Sequence, residues 1–283
     1  MLSGHAMAPL ISAADLAVLA GDAHVVVVDC RHDLARPEAG EAAWRDAHIP
    51  GALFMHLDRD LSAPKTGRNG RHPLPSADAF AALVGAVGIS PQHRVVAYDD
   101  AGGMFAARLW WMLRWIGHAD VAVLDGGLTA WRAAGGALDT TVRVLPATVH
   151  PLRMDMPVVD AGGVLANVGS DRLLLIDARA ADRFRGENET LDPVGGHIPG
   201  ALNRCFKLNL ADDGRFKPAD QLLTEWRELI GERDAGSLVM QCGSGVTACH
   251  NLLALELAGL PGARLYPGSW SEWCSDPVRP IAR

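Results

Sequence analysis

Cys242 follows a short apolar run and precedes Gly243, Ser244, Gly245, Val246 and Thr247, after which an amphipathic stretch begins. A strand–loop–helix turn of this composition aims successive backbone N–H groups at one point, with the positive end of a helix behind them. Gly243 and Gly245 supply backbone conformations that other residues avoid. A thiol placed in such a turn is pushed toward thiolate, and the same amides stabilise an anionic adduct on its sulfur. The chemistry this predicts is nucleophilic and covalent. For an arbitrary cysteine the plainer reading is a buried strand-end residue, but the flanking glycines, Ser244 and Thr247 favour the reactive one.

The other cysteines, Cys30, Cys205, Cys249 and Cys274, make an odd total of five without CxxC or Cys/His ligand spacing. That pattern predicts reduced thiols in a cytoplasmic protein and no metal site. Cys249, one helical stretch beyond Cys242, reads as a buried small apolar residue rather than a resolving thiol. A net charge of −7 lacks the basic face that nucleic acid requires. No apolar run approaches the ~18 residues of a membrane span, so no membrane partner is expected. The start of the chain has neither the basic region nor the continuous apolar stretch of a secretory signal, and the residues before Met7 are left out of the fold reading.

The elements that must position Cys242 occur twice. HVVVVDCR at 24–31 matches RLLLIDAR at 172–179, and AHIPGAL at 47–53 matches GHIPGAL at 196–202. RVVAYDD at 94–100 corresponds to SLVMQCG at 237–243, and VLDGGLTAW at 123–131 to LYPGSWSEW at 265–273. Such ordered self-similarity at a nearly constant offset is a tandem duplication. Short apolar runs at 25–28, 95–98, 173–176 and 238–241 read as strands buried on both faces. Stretches 76–87, 103–116, 218–230 and 246–259 carry helical spacing. This alternation predicts an α/β fold: two domains, each a mainly parallel sheet flanked by helices. Their expected bounds are 8–140 and 158–283, with a Pro-containing linker over 141–157. Asp99 aligns with Cys242, so the first copy lacks the nucleophile and is expected to be catalytically silent. Asp177 and His197 have counterparts in that copy and belong to the scaffold, and Trp110, Trp111, Trp115, Trp270 and Trp273 read as core.

Together, the tandem layout, CGSGVTA, GHIPGALN and LYPGSWSEW resemble the rhodanese superfamily, most closely its 3-mercaptopyruvate sulfurtransferase branch. The resemblance implies two tandem rhodanese-like domains, an active loop over 242–247, and a sulfurtransferase that needs no metal or organic cofactor. It implies a small-molecule sulfur donor, and a thiol acceptor such as thioredoxin or glutathione, or cyanide. Oligomeric state stays open. Related cysteine phosphatases carry an arginine where this chain has Ala248, which disfavours phosphate chemistry. The neutral Gly243 and Ser244 match the mercaptopyruvate pattern rather than the basic loop of thiosulfate rhodaneses. The same resemblance implies that Ser244 works with His72 and Asp58 of the first domain, and that Arg183 binds the donor carboxylate. The family's second arginine is replaced by Asp192. Arg185 is the candidate substitute, with Arg179 or Arg204 also considered, although Arg179 reads as the partner of Asp177. Thiosulfate remains an alternative donor, and a non-catalytic sensing or docking module is the alternative from another class.

Overall fold

The structure is a computed structural model and describes residues 8–283; the reading of the first seven residues falls outside them. The chain divides into two compact units. The first holds the described residues up to Leu61 together with Pro75–Asp155, and the second holds Ser62–Leu74 together with Met156–Arg283. The short segment 62–74, which carries His72, therefore packs with the second unit although the repeat places it in the first copy.

In the first unit five parallel strands, β1 (Leu10–Ile11), β2 (Val25–Asp29), β3 (Leu53–Phe54), β4 (Arg94–Tyr98) and β5 (Val121–Leu124), lie in the order β1-β5-β4-β2-β3. Helices α1 (Ala13–Val18), α2 (Ala39–Asp46), α3 (Ala77–Ala86), α4 (Ala106–Trp115) and α5 (Gly127–Ala133) connect and cover them. Every residue of β2 is buried, as an unbroken Val run between two helical layers requires. Trp110, Trp111 and Trp115 on α4 are all buried, as expected of core residues.

The second unit repeats the plan with β6 (Leu174–Asp177), β7 (Leu202–Asn203), β8 (Leu238–Gln241) and β9 (Arg264–Leu265) in the order β7-β6-β8-β9. Its helices are α6 (Ala161–Asn167), α7 (Ala181–Phe184), α8 (Ala219–Ile230), α9 (Thr247–Leu257) and α10 (Ser269–Trp273). A parallel bridge from Val158 to Leu265 stands where β1 stands in the first unit. Asp177 pairs in register with Gln241 as Asp29 pairs with Tyr98. Each central strand thus ends one residue before Asp99 or Cys242, at the carboxyl edge where parallel sheets place their sites.

Part of the polar scaffold recurs in both copies with the same atoms. Arg31 Nη2 lies 2.7 Å from Asp29 Oδ2 and donates to Ala47 O, while Arg179 Nη2 lies 2.7 Å from Asp177 Oδ2 and donates to Gly196 O. His48 and His197 each place Nδ1 within hydrogen-bond reach of a carbonyl, Trp44 O and Phe184 O. Much of the Pro-containing stretch belongs to the first unit rather than bridging freely. Thr148 N donates to Gly85 O, Arg153 N to Ile116 O and Asp155 N to Trp115 O.

That stretch is also pinned by a buried imidazole pair. His118 Nδ1 lies 3.0 Å from His150 Nε2, and His150 Nδ1 lies 2.9 Å from Pro151 O. Burial, with the neighbouring His150, pushes His118 down to about 4, and burial lowers His150 as well. The folded state thus binds fewer protons than the unfolded chain between about pH 6.5 and 4. Stability is complete above the unfolded value and is lost as pH falls toward the folded one. Denaturant titrations should show a loss on the order of 2 kcal/mol from pH 7 to pH 4.5 that His118→Gln diminishes. An equal loss in the variant would dismiss the pair as its source.

Candidate active site around Cys242

The backbone leaves β8 at Gln241, turns through 242–246 and enters α9 at Thr247. Gly245 makes the turn possible: its φ is +78°, and a Cβ there would stand 2.2 Å from Pro267 O. Within this turn the Cys242 side chain is buried, and its Sγ accepts the N–H of Gly245 at 3.1 Å and of Ser244 at 3.5 Å. Two loop amides thus converge on the sulfur, the position from which any group bonded to it would project. Cys249 is fully buried on α9 and its thiol donates to Gly245 O at 3.3 Å. It buttresses the loop from behind, consistent with a packing residue.

The equivalent turn of the first unit is a control within the same chain. Asp99 Oδ1 accepts the N–H groups of Ala101 and Gly103, and Oδ2 those of Phe105 and Ala106, all at 2.8–2.9 Å. A built-in carboxylate fills the anion nest that the sulfur only begins to occupy in the second unit. The wrapping of 100–105 around that carboxylate also explains why α4 starts at Ala106 rather than near 103.

Ser244 Oγ lies 2.7 Å from His72 Nδ1, and both residues are buried. The segment bearing His72 is held by Arg71 N–H donating to Ser271 Oγ at 3.0 Å, and by Ala63 N–H donating to Pro73 O. Gly70, with φ +87°, allows close approach: a Cβ there would meet Gly268 O at 2.8 Å. Asp58 belongs to the first unit, where its Oδ2 is 3.8 Å from His32 Nε2 and its N–H donates to His56 Nδ1.

Of the arginines proposed for the donor, only Arg183 comes to the loop. Its Nη2 lies 2.8 Å from Glu189 Oε1 and 3.4 Å from Asp192 Oδ2, and would be 3.5 Å from a Cβ at Gly243. Arg185 is not brought there: it is exposed and its guanidinium is paired with Glu187 at 2.7–2.8 Å. Arg204 is committed to Glu225 at 2.8 Å and to the face of Trp226. Arg179 is buried between Asp177 and Glu189, over Trp270.

Sequence reasoning passed over two residues that touch the loop. Arg71 ion-pairs with Asp192, and its Nη2 would lie 2.7 Å from a Cβ at Gly243. Burial pushes the Asp192 carboxyl up while Arg71 pulls it back. Ser269 is the other. Its hydroxyl accepts the Cys242 N–H at 3.0 Å and donates to Tyr266 O at 2.9 Å. Among the described residues it is the one non-glycine with positive φ, at 54°. The repeat held the signal, since its aligned partner is Gly127, with φ 55°.

A serine held where its twin is glycine costs about 1 kcal/mol of backbone strain, which its two hydrogen bonds offset. Ser269→Gly removes the strain together with the acceptor for the Cys242 N–H. The melting temperature should stay nearly unchanged while turnover falls about tenfold. A parallel fall in both would mean that Ser269 only stabilises the fold.

A rhodanese-like domain model matches residues 12–134 and again 160–276. The chain is 49% identical over 278 residues to a protein of Pseudomonas aeruginosa named "Probable 3-mercaptopyruvate sulfurtransferase", covering 97% of this chain and 98% of that one. It is 36% identical over 244 residues to the thiosulfate sulfurtransferase of Gallus gallus, covering 84% and 82%. The crystal structure of SseA from Escherichia coli, described as a 3-mercaptopyruvate sulfotransferase, superposes with a TM-score of 0.80 at 31% identity, covering 93% and 99%.

Proposed function

Since the chain belongs to the rhodanese-like domain family, we propose that it is a sulfurtransferase in which Cys242 carries the sulfur as a persulfide and 3-mercaptopyruvate is the donor. The observation that carries this is the Cys242 sulfur resting on the Ser244 and Gly245 amides beside the Ser244–His72 hydrogen bond. The Cys242 thiolate attacks the donor sulfur, the carbon–sulfur bond breaks, and the electrons leave on the enolate of pyruvate. The donor's thiol proton passes to the Ser244–His72 pair and returns to the enolate carbon, giving pyruvate and a Cys242 persulfide anion. An acceptor thiolate then takes the outer sulfur, leaving Cys242 as thiolate and the acceptor as its persulfide; cyanide would leave as thiocyanate.

Glutathione and thioredoxin are the acceptors this chemistry suits, in a reducing compartment such as the cytoplasm. All five cysteines are free thiols, and among the described residues no helix is long and apolar enough to cross a membrane. Thiosulfate is the second donor, supported by relatives named for it; it would release sulfite instead of pyruvate. In this reading the Asp99 half is silent. Mass spectrometry of the protein treated with 3-mercaptopyruvate should find one added sulfur, on the Cys242 peptide, released by cyanide. No added sulfur with either donor would leave a docking module as the better reading.

A further inference from the structure

We propose that His32, His56 and Asp58 form a binding site for a divalent ion of the zinc class in the first unit, the half without the nucleophile. His32 follows β2 and His56 follows β3, so both stand at the carboxyl edge where parallel sheets place their sites. One ligating atom from each of the three residues lies within 4.8 Å of the other two, and His32 Nε2 is 3.8 Å from Asp58 Oδ2. A tetrahedral zinc ion spaces its ligand atoms by about 3.4 Å, so modest side-chain rotations close the set. The two imidazoles are 1% exposed and the carboxylate 24%, which makes the carboxylate the side from which an ion enters.

The surroundings fix His56 in the tautomer that such a ligand needs. Its Nε2 lies 3.1 Å from Pro37 O, which can only accept, and its Nδ1 takes the Asp58 N–H at 3.1 Å. Nε2 therefore carries the proton, with Glu38 Oε1 3.8 Å away, and the Nδ1 lone pair faces Asp58. A carbonyl or carboxylate on the far nitrogen is how proteins orient a metal-bound histidine. The ion takes that lone pair over from one neutral N–H. A tight turn presents both groups: the His56 N–H donates to Asp60 Oδ2 at 2.7 Å, and the Asp60 N–H donates to His56 O at 2.9 Å. His32 meets the His56 ring edge-on, with centroids 5.2 Å apart. Arg59, between the two aspartates in sequence, is turned to Glu38 and Glu41, so its charge is matched away from Asp58. The duplication sets this trio apart from the scaffold. Asp29 and His48 recur as Asp177 and His197, whereas the positions matching His32, His56 and Asp58 hold Ala180, Cys205 and Lys207. Two imidazoles and one carboxylate suit zinc, cobalt or nickel rather than magnesium or calcium, which prefer oxygen donors.

Zinc chloride titrations belong on the Cys242→Ser protein, because a reactive thiolate would itself take zinc. One zinc ion should bind, and about a tenfold excess of magnesium should not displace it. His32→Gln and His56→Gln should each weaken binding about a hundredfold, whereas His118→Gln, at the other imidazole pair, should leave it unchanged. Nitrogen-15 spectra of the His56 ring, with all histidines intact, should show zinc shifting Nδ1 while Nε2 keeps its proton. That readout needs no histidine variant to fold. Unchanged affinity in either folded variant, a His56 Nδ1 that zinc does not move, or no uptake of zinc would overturn the proposal. The titration is independent of the sulfurtransferase reading, which stands or falls on the sulfur gained by Cys242.

Discussion

Cys242→Ser should lower sulfur transfer from either donor by about four orders of magnitude or more, with an unchanged circular dichroism spectrum. The exchange is nearly isosteric, and the Ser244 and Gly245 amides that donate to Sγ can donate to a hydroxyl oxygen instead. What disappears is the nucleophile. A serine hydroxyl is barely ionised near neutral pH, and oxygen forms no stable counterpart of the persulfide bond. The other cysteines are poorly placed to substitute. Burial pushes the Cys30 thiol well above its ordinary range and the Cys274 thiol up to about 11. Cys249 is fully buried with its thiol turned to a carbonyl, and Cys205 lies at the start of a 3-10 turn away from any comparable loop. Steady-state thiocyanate production by the variant is the measurement. Turnover within tenfold of wild type would place the sulfur carrier elsewhere.

The duplication and its strands were legible because buried parallel strands leave continuous apolar runs, and a repeated fold leaves them twice. The Cys242 turn was legible because its glycines, thiol and following helix are adjacent in sequence. The rest of the site comes from tertiary placement that no local spacing encodes. The segment 62–74 departs from its own copy and packs against 268–275, so Arg71 arrives beside Gly243. Reading positions 183–192 alone therefore left Asp192 as a vacancy and made Arg185 the substitute. Arg185 closes the single turn of α7 and faces solvent, where Glu187, two residues on, takes its guanidinium. Glu189 was overlooked too. It holds Arg179 and Arg183 at once, and although burial pushes its carboxyl up, Arg183 and the Leu191 amide more than reverse that.

The two turns of the duplicated fold explain why Gly245 should be the most sensitive position after the thiol. In the first unit the nest is closed by covalent means, since the Asp99 side chain brings its own anion to four amides. In the second unit the turn is held from outside, by the Trp270 and Ser271 N–H groups donating to Cys242 O and Gly243 O and by the Cys249 thiol, while Gly245 passes close under Pro267 O and donates its N–H to Sγ. Gly245→Ala adds a Cβ that would sit 2.2 Å from that carbonyl oxygen, a backbone atom that cannot swing away. It also forces a side chain into φ +78°. Two independent costs fall on one residue: about 1 kcal/mol for the left-handed backbone, and the larger cost of moving the loop or the bend after β9 that bears Pro267. Turnover should fall about a thousandfold and the melting temperature by several degrees. Gly259→Ala separates the two costs. Gly259, at the far end of α9, has φ +72°, but a Cβ there would meet nothing within 4 Å. That variant should lose about 1 kcal/mol of stability and keep its kcat. If both alanine variants lowered kcat alike, the close approach beneath Pro267 would not be what aims the amide at Cys242.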